Sequence, residues 1–324
     1  MNKKKQLVYV AGHRGLVGSA ITRRIDELGE RSWIGRTRAE LDLIDRQAVF
    51  EFVAETRPDA IIIAAAKVGG IAANDKFPVE FLSENILLQA NLLDAAHAAD
   101  VEKVLFLGSS CIYPKFAEQP IKESSMLTGP LEPTNDAYAL AKLAGIRLVD
   151  AYRSEYGRDW ISAMPTNLYG PGDNFDLETS HVLPALLRKF HDAVILGHDQ
   201  VPVWGNGEAL REFLFVDDAA DAALFLLDNY DSPGPINVGF GEDISIRDLA
   251  ELVAGIVGFR GEIVWDSSRP NGTPRKILDS SRIHALGWKP KVNLESGIRR
   301  TYDWFVSSVN RSSERPTGST QPLR

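Results

Sequence analysis

The chain has 324 residues, 44% apolar and 25% charged, with a formal net charge of −8, six histidines and one cysteine. That is enough chain for one large α/β unit, or for a nucleotide-binding domain with a smaller partner lobe. The acidic balance argues against a nucleic-acid binder. No run is apolar enough to span a bilayer, a lone cysteine excludes an internal disulfide or a zinc cluster, and the histidines lack metal-ligand spacing. The expectation is a protein of the reducing cytoplasm without a metal, a membrane or a nucleic-acid partner.

Met1–Lys5 is basic, but the apolar stretch after it is only Leu7-Val8-Tyr9-Val10-Ala11, which reads as a buried strand and not as a signal peptide. It runs into Gly12-His13-Arg14-Gly15-Leu16-Val17-Gly18 and then into a helical pattern ending at Leu28. Strand, glycine loop and helix form the context of a phosphate-cradling turn, where backbone approaches a pyrophosphate that rests on the helix N-terminus. A second strand around Trp33-Ile34-Gly35 ends in Arg36-Thr37-Arg38, and Arg14 lies inside the loop. Guanidinium groups suit a 2′-phosphate, so NADP(H) is favoured. Glu40 and Asp42 leave a ribose contact, and NADH use, open.

Strand and helix patterns then alternate: a strand over 59–64, a helix over 78–99, a strand over 103–107 delivering Gly108-Ser109-Ser110-Cys111, a helix over 137–156 and a strand over 160–164. Strands this apolar imply a parallel sheet covered on both faces, with ligands beyond the strands' carboxyl ends. After Gly170-Pro171-Gly172 the elements shorten. Helices are expected over 182–191, from Asp217 or Asp218 to Leu227 and over 245–257, strands over 212–216 and near 263–265, and loop over 268–276. The predicted fold is α/β, a Rossmann-like doubly wound parallel sheet with a smaller, interleaved C-terminal α/β substrate lobe. Residues 1–172 form the nucleotide-binding domain with interleaved segments near 212–240, residues 173–309 mainly form the substrate lobe, and 310–324 read as a disordered tail.

Tyr138 and Lys142 are spaced to share a helix face. An ammonium beside a phenol favours phenolate, lowering a pKa normally near about 10. A tuned phenol beside a carbonyl is what hydride transfer to a ketone requires.

The glycine loop, Ser109, Tyr138-x-x-x-Lys142, Pro165-Thr166-Asn167-Leu168-Tyr169-Gly170-Pro171 and Arg211-Glu212-Phe213-Leu214-Phe215-Val216-Asp217-Asp218 stand in one order along the chain. In this the sequence resembles the extended short-chain dehydrogenase/reductase family that acts on nucleotide sugars. Ala64-Ala65-Ala66-Lys67-Val68-Gly69-Gly70-Ile71, Ser109-Ser110-Cys111-Ile112-Tyr113-Pro114-Lys115 and Ser180-His181-Val182 resemble the members that epimerise C3 and C5 of GDP-4-keto-6-deoxy-D-mannose and reduce C4 with NADPH, giving GDP-L-fucose. Another nucleotide-sugar 4-reductase or epimerase of the family is the alternative.

The resemblance implies that Tyr138 is the proton donor to O4, that Lys142 lowers its pKa and holds the nicotinamide ribose, that Ser109 binds the C4 oxygen, and that Cys111 and His181 are the epimerisation acid/base pair. Which of the pair takes the proton stays open. It implies cofactor contacts at Gly12, His13, Arg14, Gly15, Leu16, Val17, Gly18, Arg38, Leu107, Gly108, Lys142, Pro165, Thr166, Asn167, Leu168 and His181. GDP-sugar contacts are implied at Trp204, Arg211 and Asp279, and at Lys189, where many members carry arginine. Related dehydratases carry Thr-Asp-Glu where this chain has Ser109-Ser110-Cys111, which argues against dehydration. The two long helices over 78–99 and 137–156 are expected to pack as a four-helix bundle in a homodimer.

Overall fold

The computed structural model describes residues 5–268 and 272–313. In chain order its elements are β1 (Gln6–Ala11), α1 (Leu16–Leu28), β2 (Arg31–Ile34), α2 (Arg46–Thr56), β3 (Ala60–Ile63), α3 (Ile71–Lys76), α4 (Pro78–Ala98), β4 (Lys103–Leu107), α5 (Asp136–Tyr156) and β5 (Ile161–Pro165). They continue with β6 (Asn167–Tyr169), α6 (Val182–Leu196), β7 (Gln200–Trp204), β8 (Leu210–Phe215), α7 (Val216–Asn229), β9 (Pro235–Val238), β10 (Asp243–Ser245), α8 (Ile246–Val257), β11 (Glu262–Asp266), β12 (Arg275–Lys276), α9 (Ser281–Ala285) and α10 (Leu294–Ser313).

The main sheet, six strands among the described residues, has the order β2-β1-β3-β4-β5-β9, and every pairing in it is parallel. Period-two alternation divides its side chains between two cores. Tyr9, Ala11, Ile61, Ile63, Val104 and Phe106 face one cluster, capped by α2, α4 and α5. Val8, Val10, Ile62, Leu105 and Ile161 face the other, under α1 and α7. A strand buried on both faces has no polar side, which is why these runs read as unbroken apolar sequence. Strand order reverses at β1, which pairs with β2 on one edge and β3 on the other (Val8 opposite both Trp33 and Ala60). The crevice at such a reversal is where open α/β sheets bind ligands.

The last strand of that sheet, β9, arrives only after the chain has left to build part of a second lobe. There β8 pairs with β6, β10 and β12, β7 pairs with β11, and α6, α8 and α10 close a third core around Phe190, Phe213, Leu249 and Phe305.

Three sequence expectations are corrected. Helix α6 continues past His191 to Leu196, because Ala193 stays buried one turn on. The stretch over 268–276 is not all loop, since Arg275 and Lys276 pair with β8. Residues 310–313 are helical, the end of a polar helix anchored by buried Ile298, Thr301 and Phe305 at three- and four-residue spacing. The remainder of the expected tail, 314–324, lies outside the described residues.

Candidate active site

The glycine loop is built by steric necessity. Gly12 adopts φ 86°, and a Cβ there would fall 2.7 Å from the Ala65 backbone nitrogen. The Gly15 N–H donates to the Gly12 carbonyl at 2.9 Å, folding the loop onto the start of α1. Gly18 lies so close beneath it that a Cβ would stand 2.1 Å from that carbonyl oxygen. Helix α1 starts with no side-chain cap and no acidic residue in its first turn, so its N–H groups and positive dipole end face the loop uncompensated. Backbone that only glycine can form, at an uncapped helix start, fits a dinucleotide pyrophosphate. Exchanging Gly18 for alanine is expected to abolish measurable NADPH binding by fluorescence titration and to destabilise the fold by about 1–3 kcal/mol through overpacking.

His13 is the wall of this cradle. Its ring packs against Gly35, where a Cβ would be 2.4 Å away, and lies 5.8 Å from the Trp33 ring, with its Nδ1 buried and without a hydrogen-bond partner. Arg14, Arg36 and Arg38 are all exposed around the end of β2. Arg38 is held only loosely, 3.8 Å from Asp42 and 3.6 Å from Glu84. Glu40 turns back to accept the Thr37 N–H at 2.7 Å. Three guanidinium groups with one carboxylate folded away fit a 2′-phosphate.

Val17, Leu107, Pro165, Leu168 and Val238, all but Val238 expected cofactor contacts, line a small apolar gap against the buried face of α7. Thr166 and Asn167 are fixed beside it, both donating from their side chains to the Glu212 carbonyl, at 3.3 and 2.7 Å. Gly108 is tucked against Met164, which a Cβ would meet at 2.3 Å.

At the end of β4, Ser109 accepts the Cys111 N–H at 3.4 Å and so caps the short 3₁₀ turn of Ser110–Ile112 that carries the thiol. Opposite, α5 is drawn onto β4 and α4 at Gly145, where a Cβ would touch Phe106 at 2.5 Å, and by Gln89, which donates to the Ala141 carbonyl at 2.6 Å. This close approach sets Tyr138 and Lys142 beside Ser109 and Cys111. Lys142 donates to the Leu107 carbonyl at 2.7 Å, with its ammonium 4.8 Å from the Phe106 ring centre and 5.9 Å from that of Tyr138. Burial pulls its pKa down to about 8, so at neutral pH it remains mostly charged.

The spacing argument expects Lys142 to lower the Tyr138 pKa, and here the structure differs. Burial raises the phenol, and the nearby Cys111 adds to the rise. The ammonium donates to a backbone carbonyl and stands 5.9 Å from the phenol's ring centre, so desolvation wins. The phenol therefore stays protonated at neutral pH, the form a proton donor needs.

His181 begins α6, with no side-chain capping bond. The loop before it is clamped by the Gly70 N–H, which donates to the Thr179 carbonyl at 2.9 Å. His181 is exposed at the surface, and protein crowds its ring closely enough to desolvate it. Desolvation, then the charge of Lys276, lowers its pKa. Cys111 is buried, and desolvation raises its thiol against the opposing pull of Lys276, Ser109 and Lys142.

Beyond these lie the expected sugar-nucleotide residues. Lys189 donates to the Pro202 carbonyl at 2.8 Å and sits 5.9 Å from the ring centre of half-exposed Trp204. Arg211 pairs in register with Lys276. Asp279 is the last of these residues. Its carboxylate accepts the Ser281 N–H at 3.0 Å, and its charged neighbours are Lys122 and His284.

The model of the NAD dependent epimerase/dehydratase family matches residues 8–239. The chain is 54% identical over 309 residues to GDP-L-fucose synthase 1 of Arabidopsis thaliana, covering 95% of this chain and 96% of the relative. It is 51% identical over 316 residues to GDP-L-fucose synthase of Escherichia coli (strain K12), covering 95% and 98%. The crystal structure of a GDP-L-fucose synthetase from Naegleria fowleri bound to NADP superposes with a TM-score of 0.88 at 30% identity, covering 96% of this chain and 97% of that one. The chain belongs to the NAD dependent epimerase/dehydratase family.

Against that family frame, three residues escaped sequence reasoning. Lys276 and Glu132 line the cavity beside Cys111. A short strand was signalled at Lys276 by the apolar Ile277-Leu278 that follows, but the surrounding glycines and prolines masked it. Glu212, as a carboxylate, would ordinarily lie exposed. It is instead fully buried, accepting the Gly241 N–H at 2.7 Å and the Leu278 N–H at 2.9 Å, because neighbours on a strand point to opposite faces.

Proposed function

We propose that the protein inverts C3 and C5 of GDP-4-keto-6-deoxy-D-mannose and reduces C4 with NADPH, giving GDP-L-fucose. The observation that carries this reading is a lone thiol, Cys111, packed in one cleft with the protonated Tyr138 and with Lys142. The nicotinamide supplies hydride to the carbonyl carbon when bound. The protons at C3 and C5 are both α to the C4 ketone, so removal of either places negative charge on O4. Ser109 and Tyr138 donate hydrogen bonds to that oxygen in the enolate, and the same two donors serve the alkoxide of reduction. Tyr138 then yields its proton to O4, and the Lys142 ammonium offsets the charge left on the phenol. Cys111 and His181 stand as the acid/base pair for the two inversions. Ser110-Cys111 in place of two carboxylates leaves no general acid/base couple for dehydration.

Reaction in D2O with NADPH and the keto sugar tests the whole assignment. NADPH consumption with deuterium at C3 and C5 of the product is the expected result. Consumption without deuterium there would make the protein a simple 4-reductase, and no consumption would exclude this substrate.

We further propose a cytoplasmic homodimer. Support comes from apolar side chains exposed along α4 and α5, with Val79 75%, Leu87 43% and Leu140 47% accessible. A four-helix contact across a two-fold axis covers them. Exchanging Leu140 for aspartate is expected to shift the mass measured by light scattering at micromolar concentration from dimer to monomer. A monomeric parent protein would defeat the proposal. Among the described residues no helix is long and apolar enough to cross a membrane.

A further inference from the structure

The cavity beside Cys111 holds two lysines, and a third reaches the thiol from α5. Lys115, on the cavity wall, is paired with Glu132 at 3.0 Å. Lys142 is engaged with the Leu107 carbonyl at 2.7 Å. Lys276 lines the same cavity as Cys111, yet among the described residues its ammonium makes no hydrogen bond and no ion pair. The nearby carboxylates are already engaged. Glu132 also receives the hydroxyls of Thr134 and Thr273, at 3.3 and 3.4 Å, and Glu212 receives two backbone N–H groups. The parallel register of β12 with β8 sets Lys276 opposite Arg211, so a second cation disfavours its charge further. An ammonium crowded by protein, with Glu132 and Glu212 acting only from a distance and neither paired to it, is costly, and a thiolate at Cys111 would supply the nearer anion.

We propose that Lys276 is a positioning residue for the epimerisation half-reaction, its ammonium holding the Cys111 sulfur as a thiolate across the cavity that both residues line. The proposal rests on the acid/base reading of Cys111 given above and deepens it. The groups facing the sulfur are Lys276 from β12, Lys142 and Tyr138 from α5, and the Ser109 hydroxyl. Among the influences opposing desolvation of the thiolate, Lys276 stands first. The same charge faces His181 and favours its neutral imidazole, so one side chain biases both members of the pair toward giving up a proton. The sulfur takes the proton from carbon as the C–H electron pair moves into the enolate, and the ammonium then loses the anion it faced. No oxidant or further reactant enters.

Because the chain has a single cysteine, iodoacetamide alkylation reports on Cys111 alone. Alkylation rates of the intact protein without substrate, measured from pH 6 to pH 10 by mass spectrometry, are compared for the parent and for Lys276→Met. Removing the cation raises the thiol, so the profile is expected to move up by about one pH unit, which is about tenfold slower alkylation at neutral pH. Deuterium exchange at C3 and C5 is expected to fall by a similar factor, NADPH binding to stay unchanged, and Lys276→Arg to restore most of both. Lys276→Gln serves as a second neutral variant should the methionine protein fold poorly. An unmoved alkylation profile overturns the proposal, whether exchange is lost (Lys276 then acts on the substrate) or retained. Alkylation needs no sugar, so a moved profile without turnover of the GDP-sugar would fault the substrate assignment and not the role of Lys276.

Discussion

Replacing Tyr138 by phenylalanine is expected to lower the rate of NADPH oxidation by about 10²–10⁴-fold, the range for loss of a positioned general acid. Stopped-flow absorbance with the keto sugar measures it. The substitution removes one oxygen and keeps the ring, so the edge-on contact with Phe81, 6.4 Å between ring centres, persists and the fold is unaffected. NADPH affinity should be unchanged, since the cradle is built by Gly12, Gly15 and Gly18. Exchange at C3 and C5 should continue at a reduced rate, because Ser109 remains to stabilise the enolate while Cys111 and His181 are untouched. NADPH oxidation at a rate close to the parent's would remove Tyr138 from the role of donor.

Replacing Cys111 by serine should do the reverse. A hydroxyl is a far weaker acid than a thiol, so at neutral pH almost none of it is ionised to take a proton from carbon. Deuterium incorporation at C3 and C5, read by NMR, is expected to fall at least 10²-fold, with NADPH affinity and thermal stability nearly unchanged. The change is close to isosteric, and the Cys111 N–H bond to the Ser109 hydroxyl does not involve the side chain that is altered. Exchange at the parent rate would show that another group is the base. The two substitutions divide one cleft into two chemistries, and a structural role for either residue would not produce opposite patterns.

The sheet could be read directly because its strands are buried on both faces. Ile61-Ile62-Ile63 has no polar alternative to strand, and the loops after β1 and β4 carry residue types that ordinary turns do not need. Helix α10 was missed for the opposite reason. Its buried residues are few and one is Thr301, so no helix was expected over 294–309, and past 309 the polar composition read as a tail although the helix runs on to Ser313.

At the site, i to i+4 spacing correctly joined Tyr138 to Lys142. It gave the wrong direction for the phenol because spacing says nothing about where an ammonium turns, and here it turns to the Leu107 carbonyl. Lys276 lay beyond reach for a related cause. It meets Cys111 from 165 residues away in sequence, through a two-residue strand whose only local signal is the apolar pair after it. Contacts set by tertiary register leave little trace in local pattern.

The late return of β9 to the main sheet has a consequence for modularity. The edge of β5 is completed by Pro235–Val238, so the nucleotide-binding half becomes whole only once the chain has already threaded β6, α6, β7 and β8 through the neighbouring lobe. Neither lobe is a contiguous stretch that recombination could lift out and transplant. The chain passes from the main sheet to the second lobe after β5, back to it at β9, and out again to β10. A cut at any single point between residues 172 and 235 would leave the main sheet without its edge strand β9.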